Sequence, residues 1–186
     1  ALMQGLADGF FIIPYTLGNY LASTQLKPVS ADHEAFRASR QEVSTRLDKL
    51  LKAKGSRTVD DFHRSLGKIM WDKVGMSRNA KGLAEAAQKI QKLREEYWQD
   101  VRVSGEANFK NSELEKAGRV ADFLELGELM AKDALNREES CGGHFRDEYQ
   151  TADNEAKRDD EKFCHVLFLP WKRVADATDG SRRGWG

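Results

Sequence analysis

The sequence is poor in cysteine and proline, carries no excess of either charge and has no long apolar run. Its two cysteines, Cys141 and Cys164, are too few for a disulfide-stapled secreted scaffold and fit a reducing compartment. Thirty basic residues balance thirty acidic ones, so the charge indicates neither nucleic-acid binding nor attachment to a membrane surface. These absences favour a compact protein that takes no nucleic acid as a partner.

The longest uncharged stretch, residues 9–26, is interrupted by Pro14, Gly18 and Asn19. A membrane-spanning helix needs about 20 predominantly apolar residues, so this stretch is a poor candidate and we predict a helix buried against other protein. The chain begins at Ala1 rather than at Met and shows no basic leader followed by an apolar core. We therefore expect a piece of a longer polypeptide.

Apolar residues recur at three- and four-residue spacing through most of the chain, which is typical of helices with one buried face. Pro14 predicts a kink in the first of them. Thr58 and Asn79 are suitable N-caps, and Gly55 and Gly75 suitable ends. The predicted helices cover residues 1–26, 31–54, 58–74, 79–99 and 112–136. The second of them is predicted to bury one apolar face, formed by Phe36, Val43, Leu47, Leu50 and Leu51. The fold class predicted is mainly α, with the second to fifth helices forming an antiparallel bundle.

From Ser140 onward the helical pattern ends. Gly142 and Gly143 are followed by a polar run, and then by a short strand-like run over Phe163–Leu169 that stops at Pro170. We predict an irregular C-terminal loop region with a strand, and a disordered tail over residues 172–186.

Four side chains of metal-ligating type lie in this region: Cys141, His144, Cys164 and His165. Adjacent Cys164 and His165 rarely chelate one ion, and no CxxC pair is present, so we predict ordinary thiols and hydrogen-bonded histidines rather than a zinc site.

Two acidic pairs, Glu138-Glu139 and Asp159-Asp160, offer a general acid and base in principle. Adjacent side chains diverge on a helix or strand, so we predict capping or ion pairing with nearby arginines: Arg137, Arg146 and Arg158. Neither GxGxxG nor GxxxxGK[ST] occurs in the sequence. The chain by itself therefore shows neither a dinucleotide site nor a catalytic constellation.

Three stretches, residues 119–126, 134–146 and 158–160, resemble the C-terminal signature of succinate dehydrogenase and fumarate reductase flavoprotein subunits. That signature runs R-x-E-S-R-G-x-H-x-R and then R-D-D. Cys141 stands where many members have Arg, a variant similar to that of subunits paired with a single cytochrome b anchor. The resemblance extends from residue 1 to residue 171.

The resemblance implies a subunit in which FAD exchanges a hydride with succinate or fumarate, with electrons passing to an iron-sulfur subunit and a cytochrome b anchor. It places the complex at the cytoplasmic face of the inner membrane, with this subunit peripheral. Only Ala1 and Leu2 fall at the family's flavin site, while its catalytic residues would precede Ala1. The isolated chain is then expected to be inactive.

The same resemblance implies a domain organisation. Residues 1–27 would be a remnant helix of the FAD-binding domain, and residues 31–171 the C-terminal helical domain that braces the flavin domain of the same subunit. Two alternatives stay open: the C-terminal domain of L-aspartate oxidase, and a free-standing helical interaction module. A free-standing module should be monodisperse, whereas a severed domain that exposes Phe10, Phe11 and Ile12 should associate.

Overall fold

The computed structural model describes residues 2–106 and 110–163, and the prediction of a mainly α fold is confirmed. The helices are α1 (Leu2–Ala7), a π-helical turn (Asp8–Ile12), α2 (Ile13–Ser23), α3 (Glu34–Lys52), α4 (Val59–Val74), α5 (Ala80–Asp100), α6 (Ser112–Asn136) and α7 (Asp160–Phe163). Two short strands, β1 (Arg57–Thr58) and β2 (Val101–Arg102), pair in parallel. The chain divides into two compact units, residues 1–44 and the residues from 45 onward.

In the N-terminal unit, α1, the π-helical turn and α2 form one continuous helical segment. Pro14 lies in the first turn of α2, directly after the π-helical turn. Because proline has no N–H and its ring crowds the carbonyl four residues earlier, the wider π turn accommodates it. Neither α1 nor α2 contains a buried residue. Among the residues described, no helix combines the length and the apolar character needed to cross a bilayer.

In the second unit, α4, α5 and α6 pack around one apolar core. Their first turns are fixed by side-chain caps: Thr58 and Asp61 form a capping box, Asn79 accepts from the Gly82 N–H at 2.8 Å, and Asn111 accepts from the Leu114 N–H at 3.0 Å. Each cap satisfies a backbone donor that a helix start leaves free. The starts predicted at Thr58 and Asn79 are confirmed.

The order of contacts gives the helix directions. Phe62 of α4 stacks edge-to-face on Tyr97 of α5 at 5.0 Å, and the Tyr97 hydroxyl donates to the Ala117 carbonyl of α6 at 2.7 Å. Tyr97 lies near the end of α5 while its partners lie near the starts of α4 and α6. At the opposite ends of α4 and α5, Lys73 of α4 pairs with Glu85 of α5 at 2.7 Å, so these two helices run in opposite directions. Burial also raises the pKa of Tyr97, so its hydroxyl stays a donor.

Two expectations from the sequence are wrong. The face predicted to be buried on α3 is covered only at its end: Leu50 is buried, whereas Phe36 and Val43 belong to the N-terminal unit and stay exposed. Phe163 does not begin a strand but ends α7, because its N–H donates to the Asp159 carbonyl at 2.9 Å. Residues 164–169 and the tail at 172–186 lie outside the described residues.

Candidate functional site

The chain that follows α6, residues 137–159, is called here the C-terminal loop. Four of its polar side chains are buried, namely Glu139, Ser140, His144 and Arg146. Burying a charge or a polar group is costly unless it is bonded, so each of them needs partners inside the domain. The bonds they form show what the loop does.

Arg146 closes the end of α6. Its guanidinium, 2% exposed as a residue, donates to the carbonyls of Ala134, Leu135 and Arg137 at 2.9, 3.2 and 3.3 Å. The last carbonyls of a helix have no partner within it and carry the negative end of the helix dipole. A cationic donor placed there both bonds to these carbonyls and interacts favourably with the dipole. Arg146 is therefore the C-terminal cap of α6.

The same arginine connects α6 to the start of α5. Its Nε donates to Glu148 at 3.1 Å, and the other Glu148 oxygen accepts from the Ala80 N–H at 2.6 Å. Two backbone bonds reinforce the connection. The Arg78 N–H donates to the Phe145 carbonyl at 3.1 Å, and the Asp147 N–H donates to the Arg78 carbonyl at 2.7 Å. A carboxylate at a helix N-terminus is also favoured by the dipole.

Glu139 holds the two ends of the C-terminal loop together. Its carboxylate accepts from the Asp159 N–H at 2.9 Å and from Arg137 at 2.6 and 2.8 Å. The Asp159 bond, with the Arg137 charge, holds the pKa of Glu139 below its usual value in spite of burial. Beside it, the Ser140 hydroxyl accepts from the Arg146 N–H at 2.8 Å.

Glu139 makes the free energy of unfolding of the chain depend on pH. Its folded-state pKa is depressed, so its contribution is present above the unfolded value of about 4.3 and is lost as the pH falls through the folded value. We expect Glu139→Gln to destabilise the chain at neutral pH, and the difference from the unmodified chain to shrink below about pH 4. Urea unfolding of both proteins across that range checks this. A difference that stays constant with pH would contradict the role.

A tight turn in the C-terminal loop presents His144. The Cys141 and His144 backbones bond to each other at 2.8 and 3.1 Å, and Gly142 between them has φ +58°, which favours glycine. The imidazole lies between the Arg78 guanidinium, 2.9 Å from Nδ1, and the Arg137 carbonyl, 2.9 Å from Nε2. Burial and the charges of Arg78, Arg137 and Arg146 lower the pKa of His144.

The match to known proteins includes this loop. The family model for the C-terminal region of fumarate reductase flavoproteins matches residues 63–179, more than half of the chain. The chain belongs to this family. It is 30% identical over 156 residues to the fumarate reductase flavoprotein subunit of Helicobacter pylori, covering 83% of this chain and 21% of the relative.

Further relatives agree. The fumarate reductase flavoprotein subunit of Haemophilus influenzae is 27% identical over 137 residues, covering 74% of this chain and 23% of the relative. A solved structure of the Mycobacterium smegmatis Sdh1 complex in its apo form matches with a TM-score of 0.59 at 28% identity, covering 70% of this chain and 21% of that one. The chain thus spans less than a quarter of the length of these relatives.

Within this fumarate reductase flavoprotein C-terminal region, the pairing with arginine predicted for the acidic pairs is confirmed for Glu139 and Asp160, whereas Glu138 pairs with Lys162 at 2.6 Å. Arg137 pairs with Glu139 and Arg158 with Asp160, the latter at 2.6 Å. The Asp159 carboxylate caps α7 by accepting from the Lys162 N–H at 3.0 Å. Arg146 differs from the prediction, because its carboxylate partner is Glu148, which the sequence did not single out.

The metal-type side chains are not brought together in the part of the chain that the structure describes. Both ring nitrogens of His144 are engaged by Arg78 and Arg137, and Cys141 is a free thiol. Cys164 and His165 lie outside the described residues. No group of three or more His, Cys, Asp or Glu side chains in residues 2–106 and 110–163 is arranged to hold a metal ion.

The two flavin contacts implied for this chain stay predictions. Ala1 lies outside the described residues, and Leu2 is 87% exposed in α1. A cleft of about 500 Å³ beside the C-terminal loop is lined by Tyr149 and six charged residues. A flavin ring needs a mostly apolar pocket with a few polar groups, which this cleft does not offer.

Proposed function

We propose that this chain is the C-terminal part of the flavoprotein subunit of a succinate:quinone oxidoreductase, in which it braces a flavin domain of the same polypeptide. The observation that carries the proposal is the family match over residues 63–179, which runs from the first turns of α4 through the C-terminal loop and so includes most of the second unit. The family is one of oxidoreductase flavoprotein subunits, as the relatives' names state.

The bonds of the C-terminal loop support a bracing role rather than a catalytic one. The buried polar side chains there, above all Glu139 and Arg146, are used to tie helix ends and loop segments together. In the proposed complete subunit FAD would supply the hydride chemistry, and electrons would leave through an iron-sulfur subunit and a cytochrome b anchor at the cytoplasmic face of the inner membrane. Ala1 and Leu2 are the proposed flavin contacts of this chain.

The N-terminal unit supports the same proposal. Phe10, Phe11 and Ile12 are 75%, 56% and 57% exposed on a segment that is apolar on most sides. A helix that is hydrophobic all round is normally buried in a larger protein. In the proposed subunit this segment is a helix of the FAD-binding domain and is buried there, and in isolation it should promote association, unlike a free-standing interaction module.

A chimera tests the bracing role. This chain would replace the matching C-terminal segment of a relative's flavoprotein subunit, and flavin retention after gel filtration and succinate:dye activity would be measured. The relative truncated before that segment is the control. We expect the truncated protein to lose most of its flavin and the chimera to recover it, because a bracing domain restores the packing of the flavin domain.

Two results would contradict the proposal. One is that the truncated relative retains flavin and activity as well as the intact subunit does. The other is that the 186-residue chain by itself binds flavin tightly and oxidises succinate. Gel filtration of the chain alone also separates the alternatives, since a monodisperse monomer would favour a free-standing module.

A further inference from the structure

His144 joins two segments that are distant in sequence. The imidazole is 8% exposed, and its two nitrogens lie 2.9 Å from an Arg78 guanidinium nitrogen and 2.9 Å from the Arg137 carbonyl. Arg78 belongs to the connection between α4 and α5, whereas Arg137 follows the end of α6. The ring therefore adds a side-chain bond to the backbone bonds that hold the C-terminal loop against the α4–α5 connection.

The bond partners fix the protonation state that this arrangement needs. A carbonyl only accepts, so Nε2 must carry the proton; a guanidinium only donates, so Nδ1 must be bare. Only the neutral Nε2–H form of His144 makes both bonds. Protonation would place an N–H at Nδ1 against the N–H of Arg78, which removes one bond and sets two cations together.

The charged groups that face the ring do not compensate. Burial is the main cause of the lowered pKa of His144, and Arg78, Arg137 and Arg146 are all positive and oppose the imidazolium as well. The acids of the C-terminal loop nearest in sequence are already engaged, Glu139 by Arg137 and Glu148 by Arg146. A protonated His144 is therefore repelled by the arginines packed around the ring.

We propose that His144 is a pH-sensitive latch that holds the C-terminal loop on the α4–α5 connection when neutral and releases it when protonated. The latch is independent of the flavin chemistry proposed above, since it acts within the second unit. Histidine is the side chain whose ordinary titration lies close enough to neutrality for this use. The released part would be the contact between Arg78 and residues 145–147, whose backbones bond directly.

Amide hydrogen exchange of the 186-residue chain, followed residue by residue by NMR, tests the latch. The reporters are the Arg78 and Asp147 amides, which cross between the two segments, and Ile90 in the core of α5 is the internal reference. After correction for intrinsic exchange, we expect their protection to fall about tenfold from about pH 7.5 to about pH 5.5, because ordinary histidine titrates near 6.5. Protection of Ile90 should change much less.

The matched variant is His144→Gln, which supplies one donor and one acceptor without titrating. We expect its reporter amides to change by less than about twofold over the same range, since the linked proton is gone. Equal loss of protection in the variant, or no loss in the unmodified chain, would overturn the latch. If the variant does not fold, the unmodified chain still tests the proposal. A fall in protection of Arg78 and Asp147 that Ile90 shares equally would overturn the latch.

Discussion

Replacing Arg146 by alanine is expected to lower the free energy of unfolding by about 3–5 kcal/mol, the usual cost of removing one partner from a buried charged network. The change leaves the carbonyls of Ala134 and Leu135 without their donor at the end of α6. It also leaves Glu148, whose carboxylate accepts from the first N–H of α5, without its cation. Buried acceptors that lose their partners are penalised by the full cost of desolvation.

An arginine on α6, the helix that Arg146 caps, provides the control. Arg119 is 68% exposed and pairs with Glu115 four residues earlier. Because exposed pairs of this kind contribute little, Arg119→Ala should cost less than about 1 kcal/mol. Urea unfolding of the two variants and the unmodified chain gives the comparison. If Arg146→Ala costs no more than Arg119→Ala, the capping role assigned to Arg146 is wrong.

The helices of the second unit could be predicted because their signals are local. Thr58 and Asn79 lie directly before apolar periodic segments. In the structure both are N-caps, and each side chain accepts from the backbone N–H three residues later. The same reasoning failed for Phe36 and Val43, which have the spacing of a buried face and remain exposed. Periodicity shows which face of a helix is apolar, but not whether another element covers it.

The C-terminal loop could be located but not explained from the sequence. Its resemblance to the flavoprotein signature identified the residues, and the acidic pairs were correctly assigned to ion pairing. What could not be predicted is the direction of Arg146 and His144, which turn inward. Their partners include Arg78, 66 residues from His144, and bonds of that separation leave no periodic signal.

Gly55 is the position where the smallest substitution should have a large effect. A Cβ at this residue would lie 1.8 Å from the Asp100 carbonyl oxygen, where the chain after α3 passes the end of α5. The Gly55 N–H also donates to the Val101 carbonyl at 3.2 Å, so the backbone cannot move away without losing that bond. We expect Gly55→Ala to cost about 3 kcal/mol or more, since overpacking against backbone leaves little room to relax.

The matched control is Gly67→Ala on α4, where an added Cβ would meet nothing within 4 Å. Alanine is the better helix former, so this substitution should stabilise the chain by about 0.5–1 kcal/mol. The same chemical change is thus expected to have opposite signs at two sites in one unit. Urea midpoints of the two variants measure both. Equal and small effects would mean that the segment around Gly55 is free to shift away from α5, which its backbone bond to Val101 argues against.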